Sequence, residues 1–304
     1  MEILYVETPA NFSFKSTVYS HGWADLKPFQ LTEDPLQLSY VVKTAPQEVR
    51  SLTISDTGSG RIKITSQDAL ESMVKDQVKK IVTRMFRLDE DYDEFYALAN
   101  KSEDFTWVIK YNAGRMLRCG SLWEDMVKML CTTNCTWRLT QIMTENLTLK
   151  LGSAKNMRPK EETIYSFPQP ADIANQTEDY LRNEIKMGYR APYLLEFSQA
   201  IVNGKINLEQ FEDNSVETGD LYRMILNIKG FGDYAVSNLL KLLGRYDYLG
   251  ADSWSRQKFF DKYKNGRSVS DIKIHSHYKK YGKWAGLFFW MDVSEDWYKH
   301  DIPW

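Results

Sequence analysis

The sequence predicts an α+β fold in which an N-terminal antiparallel β-sheet is followed by a mostly α-helical body. Two observations support this prediction. Residues 1 to about 66 contain short segments in which apolar and polar residues alternate, as in half-buried strands. From residue 66 onward the apolar residues recur at helical spacing instead. We therefore expect a sheet domain at residues 1–78 and a helical domain at residues 79–304.

The strand predictions rest on four alternating segments separated by turn residues. They are N-F-S-F-K-S-T-V-Y (11–19), L-Q-L-S-Y-V-V-K (36–43), V-R-S-L-T-I-S (49–55) and R-I-K-I-T-S (61–66). The run from Asp56 to Gly60 is the strongest turn signal, because glycine and aspartate favour the backbone of tight turns. A small antiparallel sheet is the expected result.

The helical body begins with a cap at residues 66–68 and contains several predicted helices. They run from this cap through Arg87, from a cap at Ser121 through Met143, from Thr177 to Met187, and over about 270–281 and 283–291. Gly188 breaks the third of these helices, and Pro192 suits the start of the next.

The most informative stretch lies between residues 227 and 256. An apolar helix ends near Ile228, the turn Lys229-Gly230-Phe231-Gly232 follows, and a second helix opens at Asp233. The two glycines permit backbone angles closed to other residues. Amides of such a turn and of the helix start are expected to bind a phosphate without reading sequence.

The motif I-K-G-F-G-D-Y-A followed by L-G-A-D-S-W resembles the helix-hairpin-helix (HhH-GPD) DNA glycosylase superfamily. Further segments resemble counterparts in 8-oxoguanine-type and 3-methyladenine-type DNA glycosylases: L-C-T-T-N, F-P-Q-P-A-D-I-A, M-G-Y-R-A-P-Y and Y-G-K-W-A-G. The resemblance covers roughly residues 80–291, and Ser20-His21-Gly22 resembles a turn of the N-terminal sheet in the family. It implies base excision repair, with duplex DNA bound between helical lobes and one damaged base flipped out.

Asp252 is the expected catalytic residue. Cleavage of an N-glycosidic bond builds positive charge on the deoxyribose, and a fixed carboxylate stabilises that charge. An aspartate before S-W-S-R-Q-K is also a normal helix N-cap, and both roles can coexist.

Tyr234 stands where the resemblance places the Schiff-base lysine of bifunctional glycosylases. We therefore expect a monofunctional enzyme with water as the nucleophile. Tyr234 is expected to stack on the extruded base, the alternative being a tyrosine at the edge of the core.

The expected DNA contacts extend beyond the hairpin residues Lys229, Gly230, Phe231 and Gly232. The resemblance places Asn134, Tyr189 and Arg190 beside the opposite base and the opened stack. Arg256 follows Asp252 at the start of a basic stretch. The alternative for G-Y-R-A is a helix–helix junction.

The substrate prediction rests on an aromatic segment that includes Phe288, Phe289 and Trp290. Phe289 occupies the position of a guanine-reading glutamine in the 8-oxoguanine enzymes, which disfavours that substrate. An aromatic base pocket containing Tyr234 and Phe289 suits cationic alkylated purines, with oxidised purines second. Aromatic residues at such spacing also occur in plain hydrophobic cores.

The net charge is −2, and nine Lys or Arg lie between residues 256 and 283 against Asp261 and Asp271. This run is either a DNA-facing surface or a solvated helix face.

No cysteine follows Cys135, so no iron–sulfur cluster is expected, although the resemblance allows a monovalent cation at the hairpin. The N-terminal sequence and the absence of long apolar runs predict a soluble, intracellular protein that enters no membrane. The resemblance implies damaged double-stranded DNA as the partner, and a monomer is expected. The rival from another class is a non-catalytic, structure-specific DNA-binding protein.

Overall fold

The computed structural model describes residues 1–45, 48–155 and 163–299 and has the predicted order of an N-terminal sheet followed by helices. The strands of the main sheet are β1 (Glu2–Glu7), β2 (Gln30–Glu33), β3 (Leu36–Ala45), β4 (Glu48–Asp56) and β5 (Arg61–Ser66). All neighbours are antiparallel, in the order β1-β5-β4-β3-β2. A small hairpin pairs β6 (Ala154–Lys155) with β7 (Ile164–Tyr165).

Alternation along the strands fixes which face of the sheet is buried. Ile62 and Ile64 on β5 point into the core, and Ile64 lies opposite Ile54 of β4. Lys63 points to the other face, because successive side chains of a strand alternate. Three of the four predicted strand segments are therefore confirmed as β3, β4 and β5.

The segment at residues 11–19 was predicted as a strand and is instead the helix α1 (Phe14–Val18). Ser13 caps this helix, because its hydroxyl oxygen accepts the Ser16 amide at 3.1 Å. Phe14 and Val18 are four residues apart and both buried, so a single helical turn also satisfies the apolar pattern.

The first half of the helical body contains α2 (Ser72–Phe86), α3 (Asp93–Ala99), α4 (Thr106–Tyr111), α5 (Leu122–Thr132), α6 (Trp137–Leu151), α7 (Pro170–Ala174) and α8 (Glu178–Asn183). The second half contains α9 (Ala191–Val202), α10 (Glu209–Glu212), α11 (Thr218–Leu226), α12 (Asp233–Leu242), α13 (Ser253–Lys264), α14 (Asp271–Tyr278) and α15 (Ala285–Lys299). No helix among the described residues is long and apolar enough to cross a membrane.

The helix predicted over residues 123–143 is two helices, α5 and α6, separated by a turn at residues 133–136. Asn134 adopts the left-handed conformation there, with φ of 45°. Thr136 then caps α6 by accepting the Leu139 amide at 3.3 Å. The break brings Asn134 to the protein surface.

The sheet and the helices share one hydrophobic core, and polar contacts also join them. Trp23, before β2, donates its indole N–H to Asp125 of α5 at 2.9 Å. Trp290 of α15 donates to the Ser20 carbonyl at 3.0 Å. The expected boundary at residue 78 falls inside α2, and the two-domain division stays a prediction. Residues 300–304 of the predicted second domain lie outside the described residues.

Candidate active site

The glycine-containing turn between α11 and α12 forms the hairpin that the sequence predicts. Gly230 has φ of +94°, and a β-carbon there would lie 2.9 Å from Leu130 Cδ1 and 3.0 Å from Tyr193 Cβ. Glycine is therefore required at 230 by both conformation and close packing.

Gly232 differs from the expectation that both glycines adopt restricted angles. Its φ is −90°, which any residue can adopt, and a β-carbon there would meet no atom within 4 Å. The missing side chain instead leaves the start of α12 uncovered. Amides in the first turn of a helix have no intrahelical acceptor, so this end is suited to an anion.

The side chain of Phe231 anchors the turn in the core and does not point toward a ligand. Its side chain is buried and packs edge-on against Phe197 at a centroid distance of 5.6 Å. Its amide donates to the Ile228 carbonyl at 3.2 Å. A contact of Phe231 with DNA stays a prediction and would involve its backbone, because core packing fixes the side chain.

A groove of about 910 Å³ runs along the hairpin. Nine of the eleven predicted site residues line it: Asn134, Tyr189, Lys229, Gly230, Phe231, Gly232, Tyr234, Asp252 and Arg256. The two exceptions are Arg190 and Phe289.

Asp252 is the N-cap of α13 and is only partly buried. Its Oδ1 accepts both the amide and the hydroxyl of Ser255, each at 2.7 Å. In the described part of the chain, the hydrogen bonds recorded to this carboxylate all go to Oδ1. The cap therefore fixes the orientation of the carboxylate and leaves Oδ2 available to a ligand.

A second cavity of about 540 Å³ opens on the other side of Asp252. Its volume is typical of small-molecule sites. Asp252, Tyr234, Thr132 and Cys135 line both this cavity and the groove. We call the second cavity the tryptophan pocket, because its walls include five indoles: Trp23, Trp137, Trp254, Trp290 and Trp297.

Three of these indole N–H groups are already used by the protein. Trp23 donates to Asp125, Trp290 to the Ser20 carbonyl, and Trp137 to Asp25 Oδ2 at 2.8 Å. These rings consequently offer apolar and π surface to a ligand, not hydrogen-bond donors.

Gly22 lets the Trp137 ring lie directly against the backbone. A β-carbon at residue 22 would stand 2.2 Å from Trp137 Cη2, which no real structure tolerates. The Ser20-His21-Gly22 turn therefore forms part of the pocket wall, with His21 also lining the cavity.

Tyr234 lies beside Asp252 in both cavities. Burial raises the pKa of its phenol to about 12, and the negative charge of Asp252 adds to this. The hydroxyl therefore stays protonated at neutral pH and can donate a hydrogen bond.

Lys241 is buried beneath the loop that carries Asp252. Its Nζ donates to Asn238 Oδ1 at 3.1 Å, and the Asn238 amide donates to the carbonyls of Tyr234 at 2.8 Å and Gly250 at 3.3 Å. Burial lowers the pKa of Lys241 to about 7, against an opposing effect of the Asp252 charge. This amine lines neither the groove nor the tryptophan pocket.

Asn134 and Tyr189 project into the groove from two neighbouring turns. Tyr189 is 46% exposed, and its hydroxyl donates to the Thr133 carbonyl at 3.2 Å. Arg190, predicted to contact DNA, is buried instead and donates to the Thr133 carbonyl and hydroxyl. Its guanidinium also lies 4.4 Å from the Tyr189 ring centroid. Arg190 thus holds the two turns together, and its buried side chain does not line the groove.

The two cationic side chains of the groove are paired within the protein. Lys229 contacts Glu196 at 2.9 Å through two largely exposed side chains, and such a pair is weak. Arg256 makes a bidentate contact with Asp271, with both distances at 2.8 Å. A phosphate bound by either cation would compete with this carboxylate partner.

Phe289 does not belong to the base pocket, so this prediction is wrong. Its side chain is 1% exposed and packs edge-on against Tyr278 in the core. The next residue, Trp290, faces the pocket instead. One helical position turns a side chain by about 100°, so a shift of one residue exchanges the core and pocket faces.

Several pocket residues carry no local sequence signal. Trp23 and Trp137 come from separate elements, and neither is part of a recognised motif. Trp254 is the last residue of L-G-A-D-S-W, but nothing in that motif indicates that its ring lines a pocket.

Comparisons with known proteins add a fold and a distant relative. No family model matches the chain. A Bacillus subtilis (strain 168) protein named "Putative DNA-3-methyladenine glycosylase YfjP" is 21% identical over 180 residues, which are 57% of this chain and 60% of that protein. The match therefore spans about three fifths of the relative's length.

Two DNA glycosylases are among the solved structures that match over nearly their whole length. The 3-methyladenine DNA-glycosylase from Archaeoglobus fulgidus has a TM-score of 0.76 at 15% identity, covering 97% of this chain and 99% of that one. The apo 8-oxoguanine glycosylase/lyase from Clostridium acetobutylicum has a TM-score of 0.74 at 19% identity, covering 96% of each chain. The chain therefore has the fold of the 8-oxoguanine and 3-methyladenine DNA glycosylases, which confirms the resemblance indicated by its hairpin motif.

Proposed function

We propose that this protein is a DNA glycosylase that extrudes a damaged purine from duplex DNA and hydrolyses its N-glycosidic bond at Asp252. The observation that carries the proposal is the position of Asp252 between two cavities. One cavity follows the hairpin, where a DNA strand would bind, and the other is large and aromatic enough for a purine. A carboxylate at their junction would face the sugar whose base occupies the pocket.

The chemistry follows from the residues at that junction. The start of α12 holds a backbone phosphate through its amides, which positions the nucleotide. Asn134 and Tyr189 occupy the gap in the duplex, which lowers the cost of extrusion. As the glycosidic bond lengthens, Asp252 stabilises the positive charge on the sugar and orients the attacking water. Tyr234 remains protonated and donates to Asp252 or to the leaving base.

Alkylated purines are the proposed substrate class. Indole faces attract cations, and alkylation at a ring nitrogen makes a purine cationic. Because three indole N–H groups are bonded within the protein, these walls favour stacking over reading of a neutral base edge. Oxidised purines are the second candidate, supported by the fold shared with the 8-oxoguanine enzyme.

The proposal includes a monofunctional mechanism. Tyr234 has no amine with which to form a Schiff base, and Lys241 is buried away from both cavities. Borohydride treatment of the protein with lesion-containing DNA should therefore trap no covalent adduct. Strong trapping would show that a lysine reaches the sugar and would contradict this part of the proposal.

A monovalent cation at the hairpin belongs to the same proposal. In the described residues, the backbone carbonyls of Lys229 and Gly230 accept no recorded hydrogen bond, so these oxygens fit such an ion. A cation there would help to fix the turn against a phosphate. The hydrolysis at Asp252 does not pass through it.

The decisive experiment uses a panel of duplexes with one alkylated or oxidised purine, scored separately for free base and for strand nicking. Wild type should release base with little nicking. Asp252→Asn should lose at least about 100-fold in excision rate while binding the duplex normally, because asparagine also caps helices. Asp261→Asn is the matched control, since Asp261 is an acid of the helix that Asp252 caps and lines neither cavity. If wild type binds DNA but releases no base, the protein is a non-catalytic DNA-binding protein instead.

A further inference from the structure

His21 is a buried polar residue of the tryptophan pocket that the proposed chemistry does not use. Its ring lines the cavity and stacks on Trp23, with the centroids 4.8 Å apart and the planes 23° from parallel. It is 7% exposed. The ring is therefore held in one orientation by its neighbours.

The hydrogen bonds of Ser20 assign the tautomer of this imidazole. The Ser20 hydroxyl donates its single proton to the Thr17 carbonyl at 2.7 Å. The same oxygen accepts the Leu117 amide at 3.0 Å and lies 3.1 Å from His21 Nδ1. Since the serine proton is already used, Nδ1 must donate to the serine oxygen. Nε2 is then the unprotonated nitrogen and a hydrogen-bond acceptor.

No described residue donates to Nε2, although this atom is buried. A buried acceptor without a donor is costly, so a bound ligand that donates a hydrogen bond to it would be favoured. The indoles of Trp23 and Trp290 do not donate a hydrogen bond to Nε2, because their N–H groups donate to Asp125 and to the Ser20 carbonyl.

We propose that Nε2 of His21 reads an N–H donor on the extruded base, so that the preferred lesion is a damaged purine with an N–H at the edge facing this ring. The inference rests on the proposed glycosylase function and adds a specificity-determining residue to it. A base reaches the buried nitrogen through a rotamer change in the pocket wall, as is common when binding sites fill. Because Nε2 is buried, the resulting hydrogen bond would discriminate strongly.

The charge state supports this role. Burial lowers the pKa of His21 to about 3, against the raising effect of nearby Asp125 and with the lowering effects of Arg87 and Lys128. The ring is therefore neutral throughout the physiological range and keeps its accepting lone pair. Recognition should not depend on pH between about 5 and 8.

The test compares His21→Phe and His21→Gln with wild type on duplexes with different lesions. 3-Methyladenine, hypoxanthine and 8-oxoguanine all present an N–H donor, whereas 1,N6-ethenoadenine in DNA has none. His21→Phe keeps the stacking but loses the acceptor. It should reduce kcat/KM for the donor-bearing lesions that wild type excises by about tenfold to 100-fold and leave ethenoadenine unaffected. His21→Gln restores an acceptor at similar reach and should recover part of the loss.

Two controls separate recognition from folding and from the function itself. Affinity for a duplex with a tetrahydrofuran abasic analogue, which has no base, should be equal in all three proteins. The role of His21 alone would be overturned if His21→Phe lost kcat/KM equally on every lesion or lost none on any. A wild type that prefers ethenoadenine would overturn it as well. A wild type that releases none of these bases would overturn the proposed function and this inference with it.

Discussion

Asp252 has a structural role that is compatible with the proposed catalytic one. Among the described residues, the hydrogen bonds to its carboxylate go to Oδ1, which caps α13 through Ser255. The cap holds the carboxylate in one orientation before any ligand binds, so it would preorganise the group for the proposed chemistry. In that proposal, Oδ1 serves the helix and Oδ2 serves the substrate.

Lys241 leads to a prediction about stability and pH. In the unfolded chain its amine holds a proton up to a pKa of about 10.5, whereas in the folded protein the pKa is about 7. Between these values the unfolded state binds more protons, so the folded state gains stability as pH rises. At pH 7 the buried amine therefore destabilises the folded state, and this destabilisation decreases as the pH rises toward 9.

Lys241→Met removes this dependence. Relative to the variant, wild type should gain about 2 kcal/mol of unfolding free energy between pH 7 and pH 9, close to 1.4 kcal/mol per unit at most. Urea denaturation of both proteins at the two pH values measures this difference. If the difference in unfolding free energy between wild type and Lys241→Met did not change with pH, Lys241 would keep its proton in the folded protein.

The proposed catalytic residue was predictable from the sequence, but the pocket was not. Asp252 and the hairpin lie within one continuous stretch of sequence, so their spacing together with the family resemblance indicates them. The tryptophan pocket is assembled from side chains as distant as Trp23 and Trp290. Only the tertiary fold brings these together, and the resemblance therefore indicates Phe289 where the structure has its neighbour Trp290.

At the scale of elements, the hairpin joins one glycine required by the fold with another that the fold does not require. Gly230→Ala should lower the unfolding free energy by about 1–3 kcal/mol, because it adds both an unfavourable φ and a steric clash. Gly232→Ala should change it by less than about 0.5 kcal/mol, since the new methyl group meets nothing.

For Gly232→Ala we expect the reverse of its small effect on stability, namely a clear loss of DNA affinity. Gly232→Ala covers the amides at the start of α12 and should weaken binding equally for damaged and undamaged duplexes, because phosphate contacts carry no sequence information. Thermal melts together with fluorescence anisotropy on both duplexes would measure the two effects. Normal DNA affinity in a folded Gly232→Ala protein would exclude these amides as the phosphate site.

Other elements show where periodicity alone is insufficient. Residues 11–19 alternate like a strand, but the cap at Ser13 and the pairing of Phe14 with Val18 stabilise a helical turn. The two helices α5 and α6 appeared as one because their apolar positions continue across the break. A left-handed asparagine makes that break, and sequence periodicity does not detect it.

At the scale of the whole molecule, the basic run at residues 256–283 is much less available than its sequence indicates. Four of its nine cations are paired with carboxylates of the fold: Arg256 with Asp271, Lys258 with Asp296, Lys262 with Asp292, and Lys283 with Glu94. With a net charge of −2, the protein should bind duplex DNA through few phosphate contacts.

Asp271→Asn tests this directly by releasing Arg256 into the groove. Duplex affinity should rise, and the slope of log K against log salt should steepen by about one, as for one added phosphate contact. Asp261→Asn is the control, because it removes the same charge from the same region, where Asp261 accepts a hydrogen bond from Gln257 and no cation is released. Anisotropy titrations at several salt concentrations should distinguish the two. Identical slopes would show that Arg256 does not contact DNA.

The close approach of Trp137 to Gly22 also affects the free space of the tryptophan pocket. The Trp137 ring occupies the position where a side chain at residue 22 would begin. Because both residues line the pocket, any larger residue at position 22 would displace the indole and change the shape of the pocket. In the proposed function, a single hydrogen atom of the backbone would therefore help to set the largest base that the pocket accepts.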